Sequence, residues 1–171
     1  MKTRSGQRLS AFCLILSMTV LMAADWPRFR GENAEGISTT TASAPTTWTA
    51  TDNIVWKVPS PGFGASSPVL KDGRLYLTGY FGYGMSKDEP GDIDELMYSV
   101  ACYDREDGSQ IWKKDMKPFR TPETQYSGMA ALHGYAAPTP VVDDENVYVF
   151  FGNSGVYALS QKDGSQLWHA D

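Results

Sequence analysis

Three tryptophans spaced 56 residues apart constrain this chain more than any other feature of its sequence: Trp56, Trp112 and Trp168. The last two close a repeated segment, which reads VACYDREDGSQIW in the first copy and VYALSQKDGSQLW in the second. Residues 53–56 (NIVW) look like the tail of a further copy. A fixed period with a shared signature is typical of repeat architectures, and it favours a scaffold built by repetition over an enzyme with a single site.

Short apolar runs separated by turn signals predict four β-strands in each copy. The runs cover residues 68–70, 75–77, 97–103 and 110–113 in the first copy and 140–142, 147–149, 156–159 and 166–168 in the second, with a further strand at 54–58. Four short strands joined by tight turns describe a four-stranded antiparallel sheet, and stacking such sheets radially gives a β-propeller. We therefore predict an all-β fold, a partial β-propeller with about two four-stranded antiparallel blades and part of a third.

Two insertions of equal length distinguish the copies. The first copy has 16 extra residues between its second and third strands, around residues 81–96, and the second has an equal insertion before its first strand, around residues 117–135. Without the insertions each unit spans about 40 residues, which is the length of a propeller blade. The even spacing of the tryptophans is therefore partly a coincidence.

The strand order and the closing Asp-Gly-x-x-x-Trp resemble the pyrroloquinoline quinone (PQQ)-like repeat, found in quinoprotein dehydrogenases and in the BamB outer-membrane assembly propeller. Residues 66–115 and 136–171 carry the resemblance, and the leader WPRFRG at residues 26–31 looks like the start of secreted PQQ-like propellers. The Thr-Gly of that repeat is Asp107-Gly108 and Asp163-Gly164 here. The resemblance implies blades stacked into a ring, with seven or eight blades in the complete family fold.

The repeated residues are predicted to be structural. A tryptophan at a fixed place in the last strand of each unit, as at Trp56, Trp112 and Trp168, can lie flat across the neighbouring sheet, and burying its ring is worth about 4–6 kcal/mol as an upper bound. Gly108 and Gly164 are expected to supply the turns that aim the rings, because glycine tolerates a positive φ.

The amino-terminal residues 1–24 have the layout of a secretory signal peptide, with a basic start, an apolar run and small residues before Asp25. The apolar run is about 14 residues long, whereas a membrane-spanning helix needs roughly 20. We expect cleavage after Ala24 and a periplasmic or extracellular protein, with a signal anchor as the alternative. Residues 25–52 are predicted to form an extended segment, because Thr, Ser, Ala and Pro dominate much of it.

The charge balance argues against nucleic acid as a partner. Without residues 1–24 the chain has 12 Lys and Arg against 20 Asp and Glu, a formal charge of −8. Proteins that bind nucleic acids or anionic membrane surfaces use clustered basic residues to do so. One cysteine, Cys102, remains, and we interpret it as a small buried hydrophobe, with a reactive thiol as the alternative.

No residue pattern identifies catalysis, a cofactor or a metal. The PQQ-binding relatives use a vicinal disulfide, which one cysteine cannot form, so no cofactor is expected here, and PQQ and calcium are expected only under the alternative function given below. The acidic run at residues 87–95 (KDEPGDIDE) lacks the order of an EF-hand loop, and we interpret it as a solvated loop, with calcium binding left open. His133 and His169 are interpreted as surface or packing residues.

Aromatic residues in the first insertion are the candidate contacts for a partner. Tyr80, Phe81 and Tyr83 form a possible partner-binding loop, and the alternative is that they cover the propeller's own face. We expect a binding or scaffold module without catalysis, with protein partners in the cell envelope. Its further blades are expected from the rest of a longer chain or from self-assembly. The alternative function is the amino-terminal part of a PQQ-dependent quinoprotein dehydrogenase, with PQQ and calcium bound by residues further along.

Overall fold

The computed structural model describes residues 25–40, 43–122 and 128–171, which form two four-stranded antiparallel sheets with very little helix. The predicted signal peptide at residues 1–24 lies outside the described residues. Sheet A contains β1 (Val69–Lys71), β2 (Arg74–Phe81), β3 (Met97–Asp104) and β4 (Gln110–Met116), and sheet B contains β5 (Val141–Val142), β6 (Asn146–Phe150), β7 (Val156–Ser160) and β8 (Gln166–Ala170). The prediction of an all-β chain with two such sheets is confirmed.

The predicted strand at residues 54–58 is wrong. The structure gives these residues no strand pairing, and Ile54 and Val55 are 43% and 87% exposed. A strand exists only where a neighbour supplies hydrogen bonds for its backbone. Among the described residues no such neighbour reaches this segment, although its tryptophan is held in place as described below.

A β-bulge precedes the tryptophan in both sheets. In sheet A, Cys102 pairs with Trp112 while Tyr103 pairs with Gln110, so Ile111 is the extra residue. Sheet B repeats the arrangement, with Ala158 opposite Trp168, Leu159 opposite Gln166, and Leu167 between. A bulge increases the local twist of a strand and redirects the next side chain. The aliphatic residue of the repeated signature is therefore the bulge residue.

The connections between the strands lie at the two opposite ends of the strands. The tight turns β1–β2, β3–β4, β5–β6 and β7–β8 lie at one of these ends, which we call the turn edge. Because β2 and β4 run in the same direction, the insertions that follow them both leave from the opposite edge, which we call the insertion edge. The first insertion holds a single 3₁₀ turn (Ile93–Glu95), and the second holds the short helix α1 (Gly128–His133), which the sequence did not predict.

One hydrophobic core joins the two sheets and both insertions. At its centre the rings of Tyr98 and Phe151 stack in parallel, with centroids 4.2 Å apart and an angle of 2° between the planes. Both residues are about 1% exposed. Tyr98 belongs to β3 of sheet A, and Phe151 directly follows β6 of sheet B, so this stack joins the two sheets.

The amino-terminal residues fasten the first strands of the two sheets together. The backbone of Trp26 exchanges two hydrogen bonds with Leu70 of β1, of 2.7 and 2.9 Å, and the carbonyl of Pro27 accepts one of 2.9 Å from the Val142 N–H of β5. Nearby, the Lys71 ammonium lies 3.1 Å from carboxylate oxygens of Asp25 and Asp144. Residues 25–27 are therefore part of the folded body.

Candidate functional site

The turn edge contains two copies of one tryptophan contact. The Trp56 indole N–H donates to the Arg105 carbonyl at 2.8 Å, and the Trp112 indole N–H donates to the Gln161 carbonyl at 2.9 Å. Each carbonyl lies 49 residues after its tryptophan. The equal separation shows that the two contacts are equivalent positions of the repeat.

Each tryptophan ring also lies against a glycine that follows it by 52 residues. A Cβ added to Gly108 would approach the Trp56 ring to 2.7 Å, and one added to Gly164 would approach the Trp112 ring to 2.6 Å. The φ angles of the two glycines are +73° and +71°. Each of these glycines receives the ring of the preceding unit, while a bulge lies just before the tryptophan of its own unit.

Trp168 has the same place in the repeat but a different environment. It is 47% exposed, whereas Trp112 is 7% exposed. None of the described glycine turns lies against its ring, because those at Gly108 and Gly164 already hold Trp56 and Trp112. The structure therefore brings two of the three predicted tryptophans into contact with the predicted glycines.

Gln161 connects the two sheets at the turn edge, and sequence reasoning missed it. Its carbonyl accepts from the Trp112 indole and from the Arg74 guanidinium, each at 2.9 Å, and its side-chain oxygen accepts from the Tyr76 hydroxyl at 2.9 Å. Its side-chain amide donates to the Asp143 carbonyl. A glutamine beside a glycine turn carries no recognisable signal, since its partners are up to 87 residues away.

Cys102 lies beneath this network and is fully buried. Burial raises the pKa of its thiol to about 11, against a smaller lowering by Arg74, so the thiol is protonated at neutral pH. Burial likewise raises the pKa of the neighbouring Tyr76 hydroxyl. Because the thiolate is the reactive form of cysteine, this environment favours a packing role for Cys102.

The insertion edge brings aromatic residues of the two insertions together. The ring of Tyr135 lies edge-on to Tyr80 with centroids 5.4 Å apart, and its centroid is 5.9 Å from that of Tyr83. The Tyr80 hydroxyl donates to the Gly84 carbonyl at 2.9 Å, and the Lys117 ammonium donates to the Asp94 carbonyl at 2.9 Å. The insertions therefore form one continuous surface.

Two of the three loop aromatics are too deeply buried to contact a partner. Tyr80 and Tyr83 are 3% and 6% exposed, and Phe81 is half-buried with the Lys113 ammonium 5.0 Å above its ring. The reason is that the second insertion folds over them, so they cover the protein's own core, as in the alternative reading. A role for Phe81 stays a prediction.

A groove of about 540 Å³ lies at the insertion edge between the two sheets. The second insertion supplies His133 and Tyr135, and the β6–β7 connection supplies Asn153. The stacked pair Tyr98 and Phe151 forms its floor. Grooves of this size, mostly apolar with a few polar groups, are typical of binding sites.

The remaining candidates have structural surroundings. His169 lies between the rings of Phe119 and Tyr157, at 4.5 and 4.4 Å, with its Nε2 2.6 Å from the Ser154 carbonyl. In the acidic loop, Asp92 accepts a hydrogen bond from the Asp94 N–H and caps the 3₁₀ turn. Over the described ranges, no three His, Cys, Asp or Glu side chains come close enough to hold a metal ion.

Comparison with known protein families identifies a matching family. Residues 35–171 match the PQQ repeat model that is described as outer membrane protein assembly factor BamB. No curated protein matches the chain significantly. In the part of the chain that the structure describes, no helix has the length and hydropathy to cross a membrane.

Proposed function

The chain belongs to the BamB-like PQQ repeat family, and on that premise we propose that it is a scaffold of the cell envelope which binds other proteins through its insertion edge and has no catalytic activity of its own. The single observation that carries the proposal is the joining of the two insertions at one edge. The repeat itself prescribes neither insertion, because each copy lacks the insertion of the other, so the surface that they form is additional to the repeat.

Exposed apolar side chains on this edge support a protein partner. Leu132 of α1 is 75% exposed, Phe119 is 58% exposed and Met85 is 45% exposed. These three residues come from both insertions. Exposed apolar side chains are a common feature of surfaces that recognise other proteins.

The architecture that we propose is a β-propeller in which sheets A and B are adjacent blades. The two equivalent tryptophan contacts support it, because they link successive units at fixed separations. Residues 1–24 act as a cleaved secretory signal in this proposal, which places the protein in the periplasm or outside the cell. In this proposal the blades beyond the two described sheets come from the rest of a longer chain or from self-assembly.

We test the binding surface by site-specific photocrosslinking in envelope extracts. A benzoylphenylalanine at position 132 is expected to crosslink a discrete protein partner. The matched control is the same residue at position 37, because Ile37 is equally exposed at 72% but lies in the amino-terminal segment. Equal crosslinking from both positions, or none from position 132, contradicts the proposal.

We also propose that the chain binds no PQQ or calcium by itself. The buried state and raised pKa of Cys102 support this, since a lone buried thiol cannot form the vicinal disulfide that the quinone-binding relatives use. Equilibrium dialysis of residues 25–171 against PQQ with calcium is expected to show no retained quinone. Stoichiometric retention would instead support the quinoprotein dehydrogenase alternative.

A further inference from the structure

Asp25 is held against the β1–β2 turn from two directions. Its Oδ2 accepts a hydrogen bond of 3.1 Å from the Lys71 ammonium, and its Oδ1 accepts one of 3.0 Å from the Asp72 N–H. The antiparallel backbone bridge between Trp26 and Leu70 also places Asp25 opposite Lys71. The backbone nitrogen of Asp25 is joined to its carboxylate through Cα and Cβ, so this nitrogen is fixed beside the same groups.

Three carboxylates surround the ammonium at this turn. Carboxylate oxygens of Asp25, Asp144 and Asp72 lie 3.1, 3.1 and 3.7 Å from the Lys71 nitrogen. The hydrogen bond to Asp144, and after it the one to Asp25, raise the pKa of Lys71 above its usual range. The Lys71 side chain is therefore charged at neutral pH, and its single charge balances only one of the three carboxylates.

A cavity of about 150 Å³ beside Asp25 adds to this imbalance. It is lined by Arg30, Glu32 and Glu35 as well as by Asp25 itself. The three carboxylates around Lys71 and the two glutamates of the cavity are opposed by two cations, Lys71 and Arg30, which leaves an excess of three negative charges. We call these side chains the Lys71 cluster. A positive group at the Asp25 nitrogen would be attracted by the cluster, more strongly at low salt.

Removal of residues 1–24 adds such a group. In the uncleaved chain the Asp25 nitrogen belongs to the neutral peptide bond with Ala24. When water hydrolyses this bond, the new carboxylate of Ala24 leaves with residues 1–24, and the Asp25 amine takes up a proton. The result is an α-ammonium, whose ordinary pKa is about 7.7–8.0.

We propose that cleavage after Ala24 creates an α-ammonium at Asp25 which binds in the Lys71 cluster and fastens residues 25–27 to both sheets. The inference rests on the cleavage that is part of the proposed function. The uncleaved chain lacks this charge, so the amino-terminal bridge is weaker before maturation than after it. The crosslinking experiment at position 132 does not depend on the amino terminus, so either proposal can fail without the other.

Two backbone amides measure how firmly residues 25–27 are fastened. The Leu70 N–H of β1 donates to the Trp26 carbonyl, and the Val142 N–H of β5 donates to the Pro27 carbonyl. We compare purified residues 25–171 with a free α-amine to the same chain acetylated at the Asp25 nitrogen, which removes the charge. At pH 6.5, hydrogen exchange of both amides is expected to be about two- to fivefold slower in the free-amine chain, the range for an exposed charge pair.

The pH dependence distinguishes the charge from the bulk of the acetyl group. Because the cluster raises the pKa of the α-ammonium on folding, its stabilising effect is present below the unfolded pKa of about 7.7–8.0 and is lost as the pH rises through the folded pKa. The urea midpoint of the free-amine chain should therefore exceed that of the acetylated chain at pH 6.5, and the two should coincide by about pH 10.

Matched carboxylate variants locate the effect. Asp144→Asn removes one carboxylate of the cluster and is expected to reduce the effect of acetylation on exchange. Glu89→Gln removes an exposed carboxylate at the insertion edge and should leave that effect unchanged. Equal exchange in the free-amine and acetylated chains at pH 6.5, or an effect of acetylation that Asp144→Asn leaves intact, would overturn the proposal. An exported protein that does not begin at Asp25, as read by its intact mass, would overturn it as well.

Discussion

The turn edge of the two sheets contains a contact that occurs twice, whereas the contacts of the insertion edge each occur once. At the turn edge one tryptophan contact occurs twice at the same separation, with an indole N–H on a carbonyl and a ring on a glycine. At the insertion edge nothing recurs, and Tyr80, Tyr83 and Tyr135 make contacts that exist once. The difference separates the contacts that the repeat dictates from those that the insertions add.

Replacing a covered tryptophan is expected to have the largest effect. Trp112→Ala removes a ring that is 7% exposed together with its hydrogen bond to Gln161, and we expect the free energy of unfolding to fall by about 3–5 kcal/mol. The matched control is Trp168→Ala, which removes a ring that is 47% exposed and should cost about 1 kcal/mol or less. Urea unfolding of both variants measures the difference. Equal losses would show that the turn edge does not stabilise the pair of sheets.

Glycine substitutions at the turn edge separate ring contact from backbone strain. Gly164→Ala introduces a Cβ 2.6 Å from the Trp112 ring at a φ of +71°, and we expect a loss of about 2–4 kcal/mol from overlap and strain together. Gly73→Ala is the control, because Gly73 has a φ of +74° but open space around it, and it should cost about 1–2 kcal/mol. Thermal unfolding of the two variants gives the comparison, and equal losses would remove the ring contact from the account.

At the insertion edge a single hydroxyl is expected to matter less. Tyr80→Phe removes the hydrogen bond to the Gly84 carbonyl, and we expect a loss of about 0.5–1.5 kcal/mol. Hydrogen exchange of residues 82–96 should become faster, while residues 108–112 at the turn edge stay unchanged. Leu132→Ala serves as the control for the same edge, since its side chain is 75% exposed and its removal should shift stability by about 0.5 kcal/mol at most. Faster exchange at both edges would mean that the edges are not independent.

The smallest expected effect concerns the dependence of stability on pH. Hydrogen bonds from Ser109 and Ser165 lower the pKa values of the Asp107 and Asp163 carboxyls, which lie in the glycine turns. A carboxyl whose pKa is depressed by folding stabilises the protein above its unfolded pKa of about 3.9, and this contribution is lost as the pH falls through the folded pKa. Asp163→Asn should therefore lower the urea midpoint slightly at pH 7 and leave it unchanged near pH 2. A difference that grows towards low pH would contradict this assignment.

The sequence predicted the turn edge well because its signals are local. Alternating apolar runs gave the strands, and the Asp-Gly pairs gave the turns at Gly108 and Gly164. The bulges at Ile111 and Leu167 escaped notice, since a bulge is defined by its partner strand. The strand predicted at residues 54–58 is wrong for the same reason, because an apolar pattern does not show whether a neighbouring strand is present, and none of the described residues pairs with this segment.

The insertion edge was predicted poorly because its contacts are distant in sequence. Tyr80 is buried by Tyr135, which lies 55 residues further along, and no pattern within either insertion indicates the meeting. Gln161 escaped for the same reason, as its partners Arg74 and Tyr76 belong to the other sheet. The loop aromatics therefore indicated where the two insertions meet. The expectation that Tyr80 and Tyr83 face a partner was wrong, because both side chains are buried.

The bridge that residues 25–27 form between β1 and β5 has a consequence for the timing of folding. Pro27 receives its hydrogen bond from Val142, so these early residues cannot take their final place until more than a hundred later ones have been made. At a synthesis rate of about 5–20 residues per second, that delay is roughly 6–23 s. A peptidase acting at the proposed cleavage point after Ala24 within that interval would meet a segment that is not yet fastened to β5.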